Sequence, residues 1–324
     1  MLFFPYRSDI TLSRLPFLTI FISVACLFIY WQQSLSDNEL AQYAHTFCEE
    51  KKSRIHKVIL AKIATSNKIQ KTDVCELLYS SIHFSPDTSL KIDEISKSTT
   101  KFSTKSLEKT HAYIAKFLNK KYSEFNSEAP ANLTRKLYYD PGSFNVFKML
   151  TSAFAHGSWM HVTGNLFFFF AFSATLEIIL GAVFYPLVIV ALAIGTSLAY
   201  SIVVLSTPQA LPTLGLSGVV MGTMGMFAYF IPRARIRCFF WFIIIVRRFG
   251  LPAWLLALWY FGWDVYDLYL TGTASGVNLT AHVSGFIEGY LIGLIFFRWR
   301  KKQVHDELES SSNHQQFAKA MNIR

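Results

Sequence analysis

Apolar residues run almost unbroken by charge through six stretches of the 324-residue chain, roughly 15–31, 160–180, 184–205, 215–231, 251–270 and 281–298. Each approaches the ~20 residues that a helix needs to cross a hydrocarbon core. The pattern predicts six transmembrane helices and an all-α polytopic membrane protein. Arg7 and Arg14 before the first stretch resemble the start of a signal peptide, but no small-residue cleavage site follows "LFIYWQQS", so a retained anchor is expected. Between the first and second stretches the pattern changes. In "SRIHKVILAKIA", Ile55, Val58, Ile59 and Ile63 recur at helical spacing and predict an amphipathic helix. The Ser/Thr/Lys-rich stretch 85–110 reads as a loop or a poorly ordered segment.

Composition agrees with membrane residence: 52% of residues are hydrophobic, 16% are aromatic, and the mean hydropathy is +0.31. The net charge of +10 invites a nucleic-acid reading until the charges are placed. Arg7 and Arg14 precede span one, Arg233, Arg235, Arg237, Arg247 and Arg248 lie between spans four and five, and Arg298, Arg300, Lys301 and Lys302 follow span six. Six crossings put all three groups on one side, which the positive-inside rule makes cytoplasmic. They orient the chain, and no nucleic-acid partner is expected. The short loop "LGAVFY" between spans two and three is also placed inside and carries no Lys or Arg. Trp31, Trp159, Trp263 and Trp299 fall at span ends, where amphipathic rings favour the headgroup zone.

Residues 32–143 hold 17 of the 31 Lys and Arg and 13 of the 21 Asp and Glu, so they face water. The expected organisation is a cytoplasmic N-terminus with span one (1–31), an outer soluble helical domain (32–143), a membrane core (144–300) and a cytoplasmic tail (301–324). The expected location is a bacterial inner membrane. Cys48 and Cys75 both lie in the outer domain. In an oxidising compartment they would most simply pair, and the alternative is two unpaired thiols.

Chemistry-bearing residues cluster at the outer ends of three spans. In "TLGLSGVVMG", Ser217 follows Gly215 and Leu216 shortly after Pro212. A helix beginning near 213–216 would leave its first N–H groups unpartnered, as an oxyanion hole requires, with the serine as nucleophile. Taken alone, Gly218, Gly222 and Gly225 favour small-residue helix packing instead. His282, in "TAHVSGFIEGYLIG", stands at the same level and could serve as base, or it could be an interfacial histidine facing water. Gly285, Gly289 and Gly293 give its span a smooth face. In "FAHGSWMHVTGN", His161 and Asn165 are one turn apart, with His156 just before them. Zinc ligation by this cluster is disfavoured, because no Glu or Cys joins it and the H-E-x-x-H pattern is absent. No metal or other cofactor is expected. Asp264 and Asp267 read as interfacial solvation. Glu288 lies ~9 Å below His282 along a helix. Glu177 reads as a structural bond to a neighbouring span or as an inner-interface residue.

These elements in this order resemble the rhomboid-family intramembrane serine proteases. The matching residues are His156, His161 and Asn165, the G-L-S-G of 215–218, the A-H-x-x-G-x-x-x-G of 281–289, and Glu177 with Gly181. The resemblance covers 144–300 and, in less detail, span one. It implies a six-helix rhomboid bundle carrying an extra soluble domain between the first two transmembrane helices. It implies Ser217 as nucleophile and His282 as general base and then acid. His156, His161, Asn165, Gly215, Leu216 and Met221 would form the oxyanion and substrate-binding surroundings, together with the Ser217 N–H. Transmembrane protein substrates, cut near the outer membrane surface within the lipid bilayer, would be the partners. Oligomeric state is left open.

Two positions depart from the family pattern. Met221 stands where many members have a tyrosine against the catalytic histidine, and Phe147-Lys148 stands where the family has Trp-Arg. A thioether can still pack on an imidazole, but lysine lacks the planar fork of arginine. Two other classes remain: a non-catalytic rhomboid-like protein that binds and escorts transmembrane helices, and a transporter. The second would show inverted repeats, and none is seen.

Overall fold

The computed structural model describes residues 2–10, 14–50, 53–67, 74–100, 107–207, 210–242, 245–272 and 275–306. Contacts divide the chain into two units, one of residues 1–30, 141–207 and 213–324, the other of residues 31–140 with 208–212.

In the first unit the elements are β1 (Leu2–Ser8), the start of α1 (Phe17–Glu50), α7 (Val146–Phe154), α8 (Trp159–Val203), α9 (Ser217–Phe230), β2 (Arg235–Phe242), β3 (Ile245–Pro252), α10 (Ala253–Thr271) and α11 (Leu279–Phe296). Among the described residues α1, α8 and α11 are long and apolar enough to cross a membrane, while α9 is apolar but has only 14 residues. Unbroken, the 45 residues of α8 would reach about 68 Å. Gly181 interrupts them with φ 78° and ψ 173°, outside the helical region. The expected second and third spans are the two halves of this broken helix. The side chain of Arg14 lies 3.9 Å from the place a Cβ on Gly181 would take.

Glu177, one turn before that break, closes the start of α1. Its Oε1 accepts the Leu18 N–H at 3.0 Å, and its Oε2 accepts the Thr19 N–H and hydroxyl, both at 2.8 Å. The first amides of a helix have no partner within it, so a carboxylate from a distant element satisfies two of them. The expected bond from Glu177 to a neighbouring span is therefore present. The core between the helices is built from Phe169, Phe172, Leu192, Met224, Phe227 and Phe230.

The glycines of α9 and α11 face one another. A Cβ on Gly285 would fall on the Gly218 carbonyl oxygen, one on Gly289 on that of Gly222, and one on Gly225 on that of Phe286. Backbone meets backbone along this seam, as only side-chain-free positions permit.

The all-α expectation needs correction. Residues 235–252, read as a basic loop and the start of span five, form β2 and β3, and β1 pairs on the other side of β2 in an antiparallel sheet ordered β1-β2-β3. Alternation explains it: Ile236 and Cys238 are buried while Arg235 and Arg237, which alternate with them, are exposed.

The second unit holds the remainder of α1, then α2 (Arg54–Asn67), α3 (Val74–His83), α4 (Thr88–Thr100), α5 (Leu107–Glu128) and α6 (Leu133–Leu137). The first helix therefore runs past the expected end at 31. Phe47, Leu60, Tyr79, Leu118 and Phe125 are central to its core, with Tyr79 stacked on Phe125 at 5.3 Å. A disulfide joins Cys48 to Cys75, whose Cα atoms are 6.0 Å apart. The helix expected around 55–63 forms with a rotated buried face: Ile59, Leu60, Ile63 and Ala64 are buried, whereas Ile55 and Val58 are exposed. Residues 88–100 are helical rather than loop, and 101–106 lie outside the described residues. Most of the expected tail, 307–324, also lies outside them.

Candidate active site

Ser217 is the first residue of α9, with Leu216 as its N-cap. The first intrahelical bond runs from the Val220 N–H to the Leu216 carbonyl, at 2.9 Å. The amides of Ser217, Gly218 and Val219 thus have no partner within the helix. The preceding backbone is held from three sides. The Gly215 N–H donates to the Ser152 carbonyl at 2.9 Å, and the Leu216 N–H donates to His156 Nε2 at 3.5 Å. The Asn278 side-chain amide donates to Thr213 Oγ1 at 3.1 Å while its Oδ1 caps α11 at the Ala281 N–H.

The partners of the histidines fix their tautomers. His156 Nδ1 lies 3.2 Å from the Phe154 carbonyl, which can only accept, so Nδ1 carries the proton. Nε2 is then the acceptor for Leu216. His156, fully buried, therefore holds the turn before Ser217 and offers no Nε2 proton to a substrate. His161 is reversed. Its Nδ1 accepts the Gly157 N–H at 3.4 Å, leaving the proton on Nε2.

That proton faces Gly215. A Cβ on Gly215 would lie 3.0 Å from His161 Nε2 and 3.7 Å from Asn165 Nδ2. Asn165 Nδ2 is buried with no hydrogen-bond partner. Two side-chain donors from one face of α8 therefore border a single space two residues before Ser217. Gly215 keeps that space open twice over, by lacking a side chain and by adopting φ +124°, a conformation that favours glycine.

His282 lies in the first turn of α11. Its Nδ1 is 3.1 Å from Asp264 Oδ2 on α10, and both side chains are largely buried, at 15% and 17% exposure. The reading of Asp264 as interfacial solvation is therefore overturned. The Nε2 of His282 is buried without a hydrogen-bond partner, so the expected bond to Ser217 is not made. His161 lies within electrostatic reach of His282. Ser217, Gly218 and Ala281 border a common cavity of about 20 Å³ with Ser152, Thr196 and Ser197, room for one water. Met221 is buried in the core. Phe147 and Lys148 lie on α7, where the Phe147 side chain is 70% exposed. No cluster of three or more His, Cys, Asp or Glu suited to a metal occurs among the described residues.

Long apolar helices and this polar group define a mostly helical integral membrane protein with a candidate hydrolytic site. Residues 143–299 match the Rhomboid domain family. Rhomboid protein 1, mitochondrial, of Saccharomyces cerevisiae is 26% identical over 171 residues, 50% of this chain and 45% of that protein. The chain thus spans less than half the length of that relative. Residues 143–299 place it among the proteins that carry a Rhomboid domain.

Proposed function

We propose that the protein is an intramembrane serine endopeptidase, with Ser217 as nucleophile and His282 as general base. The observation that carries this reading is the space beside Gly215, bordered by the His161 Nε2 proton and the unpartnered Asn165 amide. Unpaired donors beside a serine at a helix start suit an oxygen that gains negative charge.

The steps follow from these groups. Ser217 Oγ bonds to a substrate carbonyl carbon as its proton passes to His282 Nε2. The carbonyl electron pair moves onto oxygen, which His161 and Asn165 receive. The C–N bond then breaks, and the leaving nitrogen takes the proton from Nε2. A water repeats the attack on the acyl ester, gives its proton to Nε2, and Ser217 Oγ recovers it as the acid product leaves. Hydrogen bonds between a catalytic serine and its base are often long before substrate arrives, so Ser217 and His282 draw together when substrate binds.

We further assign six crossings, counting α8 as two and including α9 and α10. Residues 32–143 face an oxidising side, in keeping with the disulfide, and both termini face the other. The bacterial location expected from the sequence draws no support from the yeast relative, whose name places it in mitochondria. Substrates are membrane proteins whose helices unwind readily near the surface, because helical carbonyls are otherwise occupied.

The test is incubation of purified full-length protein with a panel of single-span membrane proteins. Wild type cuts, and Ser217→Ala and His282→Ala do not. If all three bind the same helices and none cuts, the escort reading replaces this one.

A further inference from the structure

We propose that Asp264 is a positioning residue that turns the Ser217–His282 pair into a triad. The inference rests on the reading of Ser217 and His282 given above.

The register of α10 against α11 places Asp264. The residues of α10 turned inward are Ala253, Leu256 and Ala257, all buried, followed by Tyr260 and Phe261, which pack on the core. Asp264 continues this stripe one turn on. The opposite side of α10 exposes Trp259, Trp263 and Tyr266, at 64%, 60% and 54%. Phe261 stacks on Phe286 of α11 with ring centroids 4.5 Å apart. Phe261 is three residues before Asp264, and Phe286 is four after His282. One turn from this aromatic pair, in the same direction on both helices, the carboxylate meets the imidazole at 3.1 Å. Were Asp264 there for solvation, it would sit on the exposed side with Trp263 and Tyr266.

The chemistry follows from what each atom can do. A carboxylate only accepts, so the proton between Asp264 and His282 belongs to Nδ1. The lone pair is then on Nε2, the buried atom that lacks a partner. A general base needs that tautomer, and an imidazole without a partner at Nδ1 is free to adopt the other. When Nε2 takes the Ser217 proton, the imidazolium gains a negative neighbour that was in place beforehand. The proton on Nδ1 stays there throughout. His161 on α8 also lies near His282, and an imidazole carries no compensating negative charge.

The test uses full-length protein in bilayer nanodiscs, comparing wild type with Asp264→Asn, Asp264→Glu, His282→Gln and Ser217→Ala. Fluorophosphonate labelling rates and substrate kcat and KM are measured beside ¹⁵N-histidine NMR, with the His282 signals identified by their loss in His282→Gln. In Asp264→Asn the new amide can donate to Nδ1 and move the proton to Nε2. The expected result is a ~10²–10⁴-fold fall in kcat, as when the comparable aspartate of a soluble serine protease becomes asparagine, with KM within about threefold. Asp264→Glu, which keeps the charge, recovers part of the rate. Wild-type spectra should show His282 protonated on Nδ1 with Nε2 bare. Labelling of Asp264→Asn within about threefold of wild type, with His282→Gln inactive, overturns the role of Asp264 and leaves the pair standing. A proton on Nε2 in wild type overturns it whether or not the variants fold. Undiminished labelling in both Ser217→Ala and His282→Gln overturns the pair as well.

Discussion

Asn165 carries a buried amide with no partner, 3.7 Å from where a Cβ on Gly215 would stand. A donor left unpartnered inside a protein costs about 1–3 kcal/mol, which a negative oxygen in the same space would offset. Asn165→Ala should therefore lower kcat about 10²–10³-fold, the usual effect of losing one oxyanion donor, with little change in KM and no loss of folding. Steady-state cleavage kinetics check this, and an unchanged kcat would remove Asn165 from the site. Ser217, His282, His161, Asn165 and Gly215 stood out as candidates in the sequence because short motifs hold them at fixed spacing. His156 was legible as a member of the cluster, but not in its role, since only its partners show which nitrogen bears the proton. Asp264 was missed because it precedes His282 by 18 residues on another helix, at an expected span end where an acid is ordinary. No local pattern signals a contact that the Phe261–Phe286 stack sets in register.

The α9–α11 seam makes a different demand on sequence. At Gly289 an added methyl would land on the Gly222 carbonyl oxygen, whereas at Gly262 on α10 nothing lies within 4 Å. Gly289→Ala should destabilise the protein by about 1–3 kcal/mol, the common range for overpacking a filled interior. Gly262→Ala should be neutral or slightly stabilising, because alanine favours helix. Thermal unfolding of both variants in one detergent decides it, and equal melting temperatures would contradict the close approach. Hydropathy located both halves of α8, and Gly181 marked the junction. It did not reveal the sheet, because the arginines of 233–248 looked like an inter-span loop. The signal was the alternation Arg235-Ile236-Arg237-Cys238, overshadowed by the count of positive charges. The end of α1 was missed for a similar reason: beyond residue 31 its residues turn polar, and apolar length no longer reports the helix.

At the scale of the whole molecule, the unit of residues 31–140 has its own core, its own disulfide and its own response to acid. His83, 4% exposed, has its pKa pushed from the usual 6.5 down to about 4, first by burial and then by the nearby Arg135. The native state therefore prefers the neutral ring more than the unfolded state does. Stability from this group is complete above about pH 6.5 and is lost as pH falls toward 4, where the unfolded chain binds the extra proton. The loss is on the order of 3 kcal/mol. Hydrogen exchange of α3 and α5 in the full chain, corrected for intrinsic rates, should show protection weakening across that window, and His83→Phe should flatten it. Protection that does not change between pH 7 and 4 would mean that His83 is not buried as a neutral ring. Of this unit's helices α2 was legible from spacing, whereas residues 88–100, expected as a loop for their Ser, Thr and Lys, form α4. The facing of α2 was not legible, because its apolar residues outnumber the positions that the core can take.

All of this serves one chemical claim, that Ser217 becomes nucleophilic through His282. Its most direct test treats the full-length protein in membranes with a fluorophosphonate and maps the adduct by peptide mass spectrometry. Wild type should carry one modified serine, Ser217, and His282→Ala no adduct there. An adduct on another serine, or equal modification of Ser217 without the histidine, would contradict it.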